Sequence, residues 1–399
     1  MSRERLNKSS LEINLFTFGD SADIRTWSNL PYFFSKSLIA GGVGVNRIDL
    51  HPDESFIFRK YRALIEIFAD LVYRLFGFNL SVEPYRDPIS IWLIERKIKA
   101  QIRKHPHADA NLFLTFSFSS YRWSRKPAIN YCDETYVHYL QDSGRPTGLK
   151  DRWLVAREDD ILAHASLIFT TGSRCAEFIR QRHPSKRVQW LPSGINLDDV
   201  ATEDAGRILA EKRRSKSILF IGLGHWKRGI DLLIDAFIRF NRKNGEAYTL
   251  HIVGLSHEEA RNAGPHIRGY GYLNKHDPGQ FATYLHLLKT ARLFVMPMRE
   301  GPLPGVIKEA GMVYTPVVIT NIWNVSDIIK HDVNGILVAR PSAEDFAEQM
   351  HALINDECRW ERLARNAHRM AQRFSWSNAA QVFCNTVLGD GHENLHANG

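Results

Sequence analysis

Cysteine is scarce in this chain, with four in 399 residues: Cys132, Cys175, Cys358 and Cys384 lie far apart and form no C-x-x-C pair. That usage excludes a zinc knuckle and a disulfide scaffold and points to a reducing compartment. Long apolar runs are missing too, and none reaches the ~18 residues that a membrane-spanning helix needs. The first twenty residues, MSRERLNKSSLEINLFTFGD, carry charge where a secretory signal would have an apolar core, so the sequence predicts a cytoplasmic protein. There is no low-complexity block and no short-period repeat, which sets aside disorder and collagen. No basic stripe interleaved with aromatics appears, which argues against nucleic acid as a partner. What is present is ordinary globular material, 44% apolar and 24% charged, in a length that suits two domains. Lys and Arg number 52 against 44 Asp and Glu, a net charge of +8 that suits an anionic partner such as nucleotide phosphates or a lipid surface.

Apolar runs alternate with helical patterns along the first half. Ile13–Phe18 reads as a buried strand ended by Gly19-Asp20, followed by a helix over Tyr32–Ile39 and a strand near Val45–Leu50. Strand, helix and strand in that order imply a parallel sheet with helices on its faces. Leu112–Phe116, Ala128–Tyr131, Leu167–Thr170 and Val188–Leu191 are further strand candidates, and the polar stretch Asn196–Lys216 marks a domain boundary. The second half repeats the pattern. Strands are expected at Ile218–Gly222, Thr249–Val253, Ile267–Gly271, Leu293–Pro297 and Val317–Thr320, with a helix over Ile230–Phe240 and another capped by Ser342, three residues before Asp345. The prediction is two doubly wound, Rossmann-like α/β domains, residues 1–196 and 197–376, with a last segment 377–399. Such sheets bind ligands outside the carboxyl ends of their strands, so the site is expected in a cleft between the domains.

Two segments carry candidate chemistry. Met296–Ala310, MPMREGPLPGVIKEA, reads as a strand end, a Gly/Pro loop and a helix beginning near Pro304, since proline suits a first helical turn. The free amides of that turn, from Gly305 and Val306 onward, make an anion site for a diphosphate, and glycine at 305 lets a phosphate approach the backbone. Glu300, beside Gly301, and Glu309 bracket it, where they could accept from sugar hydroxyls. The plain alternative is a capped loop with two solvated glutamates. The second segment is Gly222–Gly229, GLGHWKRG, again between strand and helix. Lys227 and Arg228 could neutralise phosphate oxygens from across the cleft. Neither G-x-G-x-x-G nor the phosphate-loop pattern fits, because Gly229 comes too late and Ile230-Asp231 stands where Lys-Ser/Thr would. Here the plain alternative is two basic residues on an exposed turn.

Taken in order, these segments resemble the GT4-type retaining glycosyltransferases of the GT-B fold. The chain reads Lys227-Arg228-Gly229, then Glu300-Gly301 and Glu309-Ala310, then Pro316-Val317-Val318, Asp327-Ile328-Ile329, Val333–Val338 and a closing Phe374-Ser375-Trp376. The likeness covers residues 215–390. In the first half it rests on Asp133–Tyr136, on Pro192–Asn196, and on Trp27–Tyr32, which is similar to the Trp-Ser-Gly-x-Pro-Tyr opening of some members. Two departures stand out. Eight residues separate Glu300 from Glu309 where the family usually has seven, and Leu223 occupies the place of an arginine.

The resemblance implies transfer of a sugar from a nucleoside diphosphate sugar to a glycan or lipid-linked acceptor, with retention, in cell-surface polysaccharide synthesis. It implies that Gly222, Lys227, Arg228, Gly301, Pro304, Gly305, Val306 and Glu309 bind the donor, with Glu309 on the ribose and Glu300 on the sugar hydroxyls. It leaves Asp133 as the polar group facing the reacting sugar, and it calls for no metal and no cofactor. It also implies that the first domain, 1–196, holds the acceptor, that the second, 197–376, holds the nucleotide sugar, and that the final helix, roughly Asn378–Leu388, packs back on the first domain before a polar tail. A nucleotide-sugar epimerase of the same architecture and a non-catalytic sugar-binding module are the rival readings.

Two further features bear on metals and membranes. His392-Glu393-Asn394-Leu395-His396 spells the zinc-protease pattern H-E-x-x-H, but in a polar tail rather than on a buried helix, so no metal site is expected. Phe56–Phe76 reads either as a core helix or, with the basic run Arg96, Lys97, Lys99, Arg103 and Lys104, as a surface docking on an anionic leaflet.

Overall fold

The computed structural model describes residues 11–51, 85–144, 147–197, 204–223, 225–301 and 303–389, with single positions between 60 and 75. The first sheet holds β1 (Glu12–Thr17), β2 (Gly44–Asp49), β3 (Ala110–Phe113), β4 (Ala128–Cys132), β5 (Leu167–Thr170) and β6 (Val188–Trp190), in the order β2-β1-β3-β4-β5-β6. The second holds β7 (Ser217–Ile221), β8 (Thr249–Val253), β9 (Ile267–Gly269), β10 (Leu293–Met296), β11 (Val317–Thr320) and β12 (Gly335–Val338), in the order β12-β11-β10-β7-β8-β9. All pairings are parallel. Each central strand is buried on both faces, which is why it reads as an unbroken apolar run rather than an alternating one.

The chain divides into two compact units, one of Met1–Thr171, Cys175–Trp190 and Phe383–Gly399, the other of Gly172–Arg174 and Leu191–Val382. In the first, Phe16 stacks on Phe113 at 4.4 Å between ring centres. Phe383, from the last helix Trp376–Leu388, sits 5.5 Å from Phe34 and 5.4 Å from Phe169, and is fully buried there. In the second unit the buried Trp360 donates from Nε1 to the Arg292 carbonyl at 2.9 Å.

Each sheet reverses its winding at one place. In the first unit the chain steps outward from β1 to β2 and then returns to β3 on the other side of β1. In the second it runs from β7 through β8 to β9 and returns to β10 on the other side of β7. At such a reversal the loops leaving two adjacent strand ends part and open a crevice, where ligands of doubly wound sheets bind.

The stretch Asn196–Lys216, read from the sequence as a polar domain boundary, contains a helix that the reading did not assign, Ala205–Arg214, whose start is capped by the Asp204 carboxylate. Its buried Lys212 donates from Nζ to the carbonyls of Leu288 and Ala291 at 2.8 and 2.9 Å and to Thr315 Oγ1 at 2.8 Å. Burial holds that ammonium's pKa well below its usual value. The core-helix alternative for Phe56–Phe76 fails where it can be read: Leu64, Ile67, Leu71 and Leu75 are helical and 51–66% exposed. The rest of that span lies outside the described residues. Among the described residues, no helix is long and apolar enough to cross a membrane.

Candidate functional site

The two motif segments meet at the switch point of the second unit. Gly222–Gly229 leaves the end of β7, and Pro297–Gly305 leaves the end of its hydrogen-bonded neighbour β10. They were expected to face each other from opposite walls. They lie side by side instead, because β10 pairs directly with β7: Arg299 N donates to the Lys227 carbonyl at 2.9 Å. Gly229 makes this approach possible. Its φ is +72°, and a Cβ there would lie 2.0 Å from the Pro297 carbonyl oxygen. Gly222 is held in the same way from the other side, its N donating to the Val253 carbonyl at 3.0 Å.

The adjacency pairs the predicted residues with one another. Lys227 Nζ lies 2.9 Å from Glu300 Oε1, with side chains 62% and 22% exposed. An ion pair so solvated contributes little stability, but it occupies the lysine. Arg228 differs. It is half-buried, burial lowers its pKa, and its Nη1 is enclosed with no hydrogen-bond partner among the described residues. The guanidinium lies against Gly301, whose φ is +103° and whose absent side chain would come within 3.7 Å of Nη1.

The helix expected from Pro304 begins at Val306 and runs to Met312, with Gly305 as its cap. Pro304 stands just outside it, and its carbonyl accepts from Ile307 N at 3.3 Å. The loop before it is tied by Leu303 N donating to Asn324 Oδ1 at 3.2 Å. Among the described residues none accepts from the amides of Gly305 and Val306.

Glu309 is the most heavily bonded of the predicted residues. Lys275 Nζ donates to its two oxygens at 2.8 and 3.0 Å, and the Tyr284 hydroxyl donates to Oε2. The pair is nearly dry, with side chains 11% and 3% exposed. Lys275 also donates to the Asn196 carbonyl at 3.0 Å. Burial, and then the Glu309 charge, push the Tyr284 hydroxyl well above its usual pKa. Next door, the buried Lys308 donates to Ser193 Oγ at 2.8 Å and to the Ser193 carbonyl, and burial lowers its pKa to about 7. The segments Pro192–Asn196 and Phe374–Trp376, which the sequence offered as separate motifs, belong together: Ile195 N donates to the Phe374 carbonyl at 3.0 Å and Trp376 Nε1 to Asn196 Oδ1 at 2.9 Å. Sequence reasoning missed Lys275 and Tyr284, which lie 34 and 25 residues from Glu309 and bear no motif; Ser193 stood in the Pro192–Asn196 motif, but its bond to Lys308, 115 residues away, was not foreseen.

Asp133 belongs to the first unit, just beyond β4, while every other predicted site residue belongs to the second. Cys132 Sγ donates to its Oδ1 at 3.4 Å, and burial raises its pKa. The H-E-x-x-H tail lies outside the described residues.

Residues 202–370 match the model of a protein family described as glycosyl transferases group 1. The likeness to that family covers this part of the chain. The group 1 segment contains both loops of the switch point and the Glu309 network. A D-inositol 3-phosphate glycosyltransferase of Xylanimonas cellulosilytica is 24% identical over 243 residues, which are 57% of this chain and 57% of that one. The chain thus spans little more than half the length of the curated relatives it matches. Among solved structures, the sucrose-phosphate synthase of Thermosynechococcus elongatus superposes with a TM-score of 0.63 at 18% identity, covering 95% of this chain and 98% of that one. Anabaena HepE in complex with UDP-glucose gives a TM-score of 0.63 at 15% identity, covering 95% and 100%. The fold is therefore GT-B, as the sequence predicted, with two doubly wound α/β units.

Proposed function

We propose that this protein transfers a sugar from a nucleoside diphosphate sugar to a hydroxyl of a glycan or lipid-linked acceptor, with retention at the anomeric carbon, in the synthesis of a cell-surface polysaccharide. The observation that carries the reading is the enclosed Nη1 of the half-buried Arg228 at the switch point, which has no hydrogen-bond partner among the described residues and lies within one loop of the amides of Gly305 and Val306. A buried cation with an unmet donor is costly unless an anion completes it. A diphosphate supplies that anion, and its negative charge grows as the sugar–phosphate bond breaks. Donors fixed in place before the charge develops lower the barrier without reorganisation. Glu300 would hold donor-sugar hydroxyls and Glu309 the ribose. The departing phosphate would take the acceptor proton, so the scheme needs neither a separate base nor a metal.

A thermal-shift screen against UDP, GDP and ADP tests the donor half, since a ligand bound only by the folded state raises stability by mass action. At a ligand concentration 100 times Kd the gain is about 2.7 kcal/mol. Glu300→Ala should keep that shift and lose turnover of the matching nucleotide sugar. Full turnover in this variant would remove Glu300 from the reaction, and loss of the shift would move it to the nucleotide.

We also propose peripheral contact with an anionic leaflet. Leu64, Ile67, Leu71 and Leu75 are spaced three, four and four residues apart and so fall on one helical face. Trp92 is 57% exposed on the basic helix Pro88–Lys104. Apolar residues beside basic ones suit the headgroup boundary, where each cation near the surface contributes about 1 kcal/mol. Co-sedimentation with vesicles containing phosphatidylglycerol should be strong at low salt. Ile67→Glu combined with Leu71→Glu should release the protein from these vesicles, and unchanged binding in that variant would clear this face of any role. Equal binding of the parent to neutral vesicles would rule out the charge contribution.

A further inference from the structure

Arg365, Arg369 and Arg373 follow one another at four-residue spacing, so they stand in line along one face of the helix Glu357–Gln372 and the residue that ends it. Like charges at that spacing repel mildly. Arg365 is answered by Glu361, 2.7 Å away. The other two are not. Among the described residues neither Arg369 nor Arg373 pairs with a carboxylate, and Arg369 Nη1 donates to the amide oxygen of Asn366 at 2.8 Å. Asp332, on the adjoining turn, is already held by Arg359 and Arg362 at 2.6 and 3.2 Å.

A third cation joins them from a separate segment. Lys330 opens the turn 330–334, and it lines one recess of the second unit together with Arg369 and Arg373. The recess has a volume of about 320 Å³. Its walls are tied in place. The buried Asn334 accepts from Lys330 N at 2.7 Å and donates to the Ile328 carbonyl at 2.9 Å, and Asn366 Nδ2 donates to the Val333 carbonyl at 2.7 Å. Ile328, Met370 and Phe374 give it apolar lining. Asp327 is the carboxylate in the wall, and both of its oxygens are occupied, Oδ2 by Ser173 N at 2.8 Å and Oδ1 by Ser173 Oγ at 2.5 Å.

The helix dipole favours arginine in a last turn. It does not explain why Lys330, carried by another segment, opens on the same recess, or why that recess has an apolar lining. The volume lies at the lower end of the range of small-molecule sites. Three cations against one carboxylate leave a surplus of two positive charges in the wall. A phosphate monoester answers it, with close to two negative charges at neutral pH and three strong acceptor oxygens. A guanidinium donates to two of those oxygens in parallel. A carboxylate would leave one charge unanswered, and bare inorganic phosphate would leave the apolar lining in water.

We propose that this recess binds a soluble phosphate monoester with an apolar ring, the phosphate between Lys330, Arg369 and Arg373 and the ring against Met370 and Phe374. It shares no lining residue with the loops Gly222–Gly229 and Pro297–Gly305, and the proposal stands whether or not the transferase reading does.

Isothermal titration calorimetry on the full chain tests it, with phenyl phosphate as the probe and inorganic phosphate and benzyl alcohol as its two halves. Phenyl phosphate should bind, and each half should bind about tenfold more weakly or less. Arg369→Gln combined with Arg373→Gln should weaken phenyl phosphate about tenfold or more, and thermal unfolding should show a midpoint near that of the parent, since both side chains are exposed. Val333→Glu, a change at an exposed position of the rim, should weaken it as well by placing a carboxylate beside the phosphate. Arg228→Ala should leave this binding intact. Inorganic phosphate or benzyl alcohol binding as well as phenyl phosphate, unchanged binding in the double variant, or loss in Arg228→Ala would each overturn the proposal. So would vesicles of phosphatidic acid held through Arg369 and Arg373 while phenyl phosphate fails to bind, which would give the recess to a lipid headgroup.

Discussion

Glu309→Ala should destabilise the second unit by about 3–5 kcal/mol, the usual cost of leaving one member of a buried ion pair without its partner. The variant removes a carboxylate 3% exposed and strands Lys275, whose ammonium is 11% exposed and has otherwise only the Asn196 carbonyl as a described hydrogen-bond acceptor. It also takes away the acceptor of the buried Tyr284 hydroxyl. For a unit of this size each kcal/mol moves the midpoint by about 2–4 °C, so the fall should be on the order of 10 °C. Calorimetric unfolding with and without the nucleotide that stabilises the parent measures both consequences. The midpoint should fall without ligand, and the added nucleotide should no longer raise it, because the ribose has lost its acceptor. Lys275→Met in the same chain should recover part of the loss, since it removes the stranded charge. A midpoint within a degree of the parent would show that water solvates the pair, and a retained nucleotide shift would move the ribose contact to another residue.

How much of this was legible in the sequence depends on the distance over which each feature is determined. β5 and β11 fall on the predicted residues, because a strand buried on both faces writes its limits as an apolar run between turn residues, and β8 does so too although Thr249 and His251 leave one of its faces partly exposed. Ser342 caps its helix as read, through a bond to Asp345 N at 3.0 Å. These are local facts. The helix Ala205–Arg214 is hidden in a charged stretch because few of its residues are apolar; the Asp204 cap was the available signal. The neighbouring placement of the Lys227 and Glu300 loops was beyond reach. The alternation of strands and helices gives the layers of the sheet but not the order of its strands, and only that order sets β10 beside β7. The same holds for the Glu309 network, whose partners lie 34 and 25 residues away with no pattern linking them. Local chemistry thus picked out the two loops, while long-range pairing decided which cation each carboxylate holds, Lys227 for Glu300 and Lys275 for Glu309.

That division of labour makes Arg228→Ala the sharper test of function. Lys227 is engaged by Glu300, so the charge left for a diphosphate is that of Arg228, with its enclosed and unpartnered Nη1. If the group serves the leaving phosphate, its removal should cost about 2.7–4 kcal/mol of barrier, or roughly 10²–10³ in kcat, and most of the nucleotide-dependent thermal shift. The same change should leave the ligand-free protein as stable as the parent or more so, because it deletes a cation that burial penalises and no carboxylate compensates. Arg228→Lys should recover only part of the rate, since an ammonium lacks the planar two-nitrogen fork that donates in parallel to neighbouring phosphate oxygens. A structural arginine behaves in the opposite way, losing stability first and activity only as the fold fails. Thermal unfolding without ligand and initial rates with saturating nucleotide sugar distinguish the two, and a lowered midpoint with an unchanged kcat would return Arg228 to the scaffold.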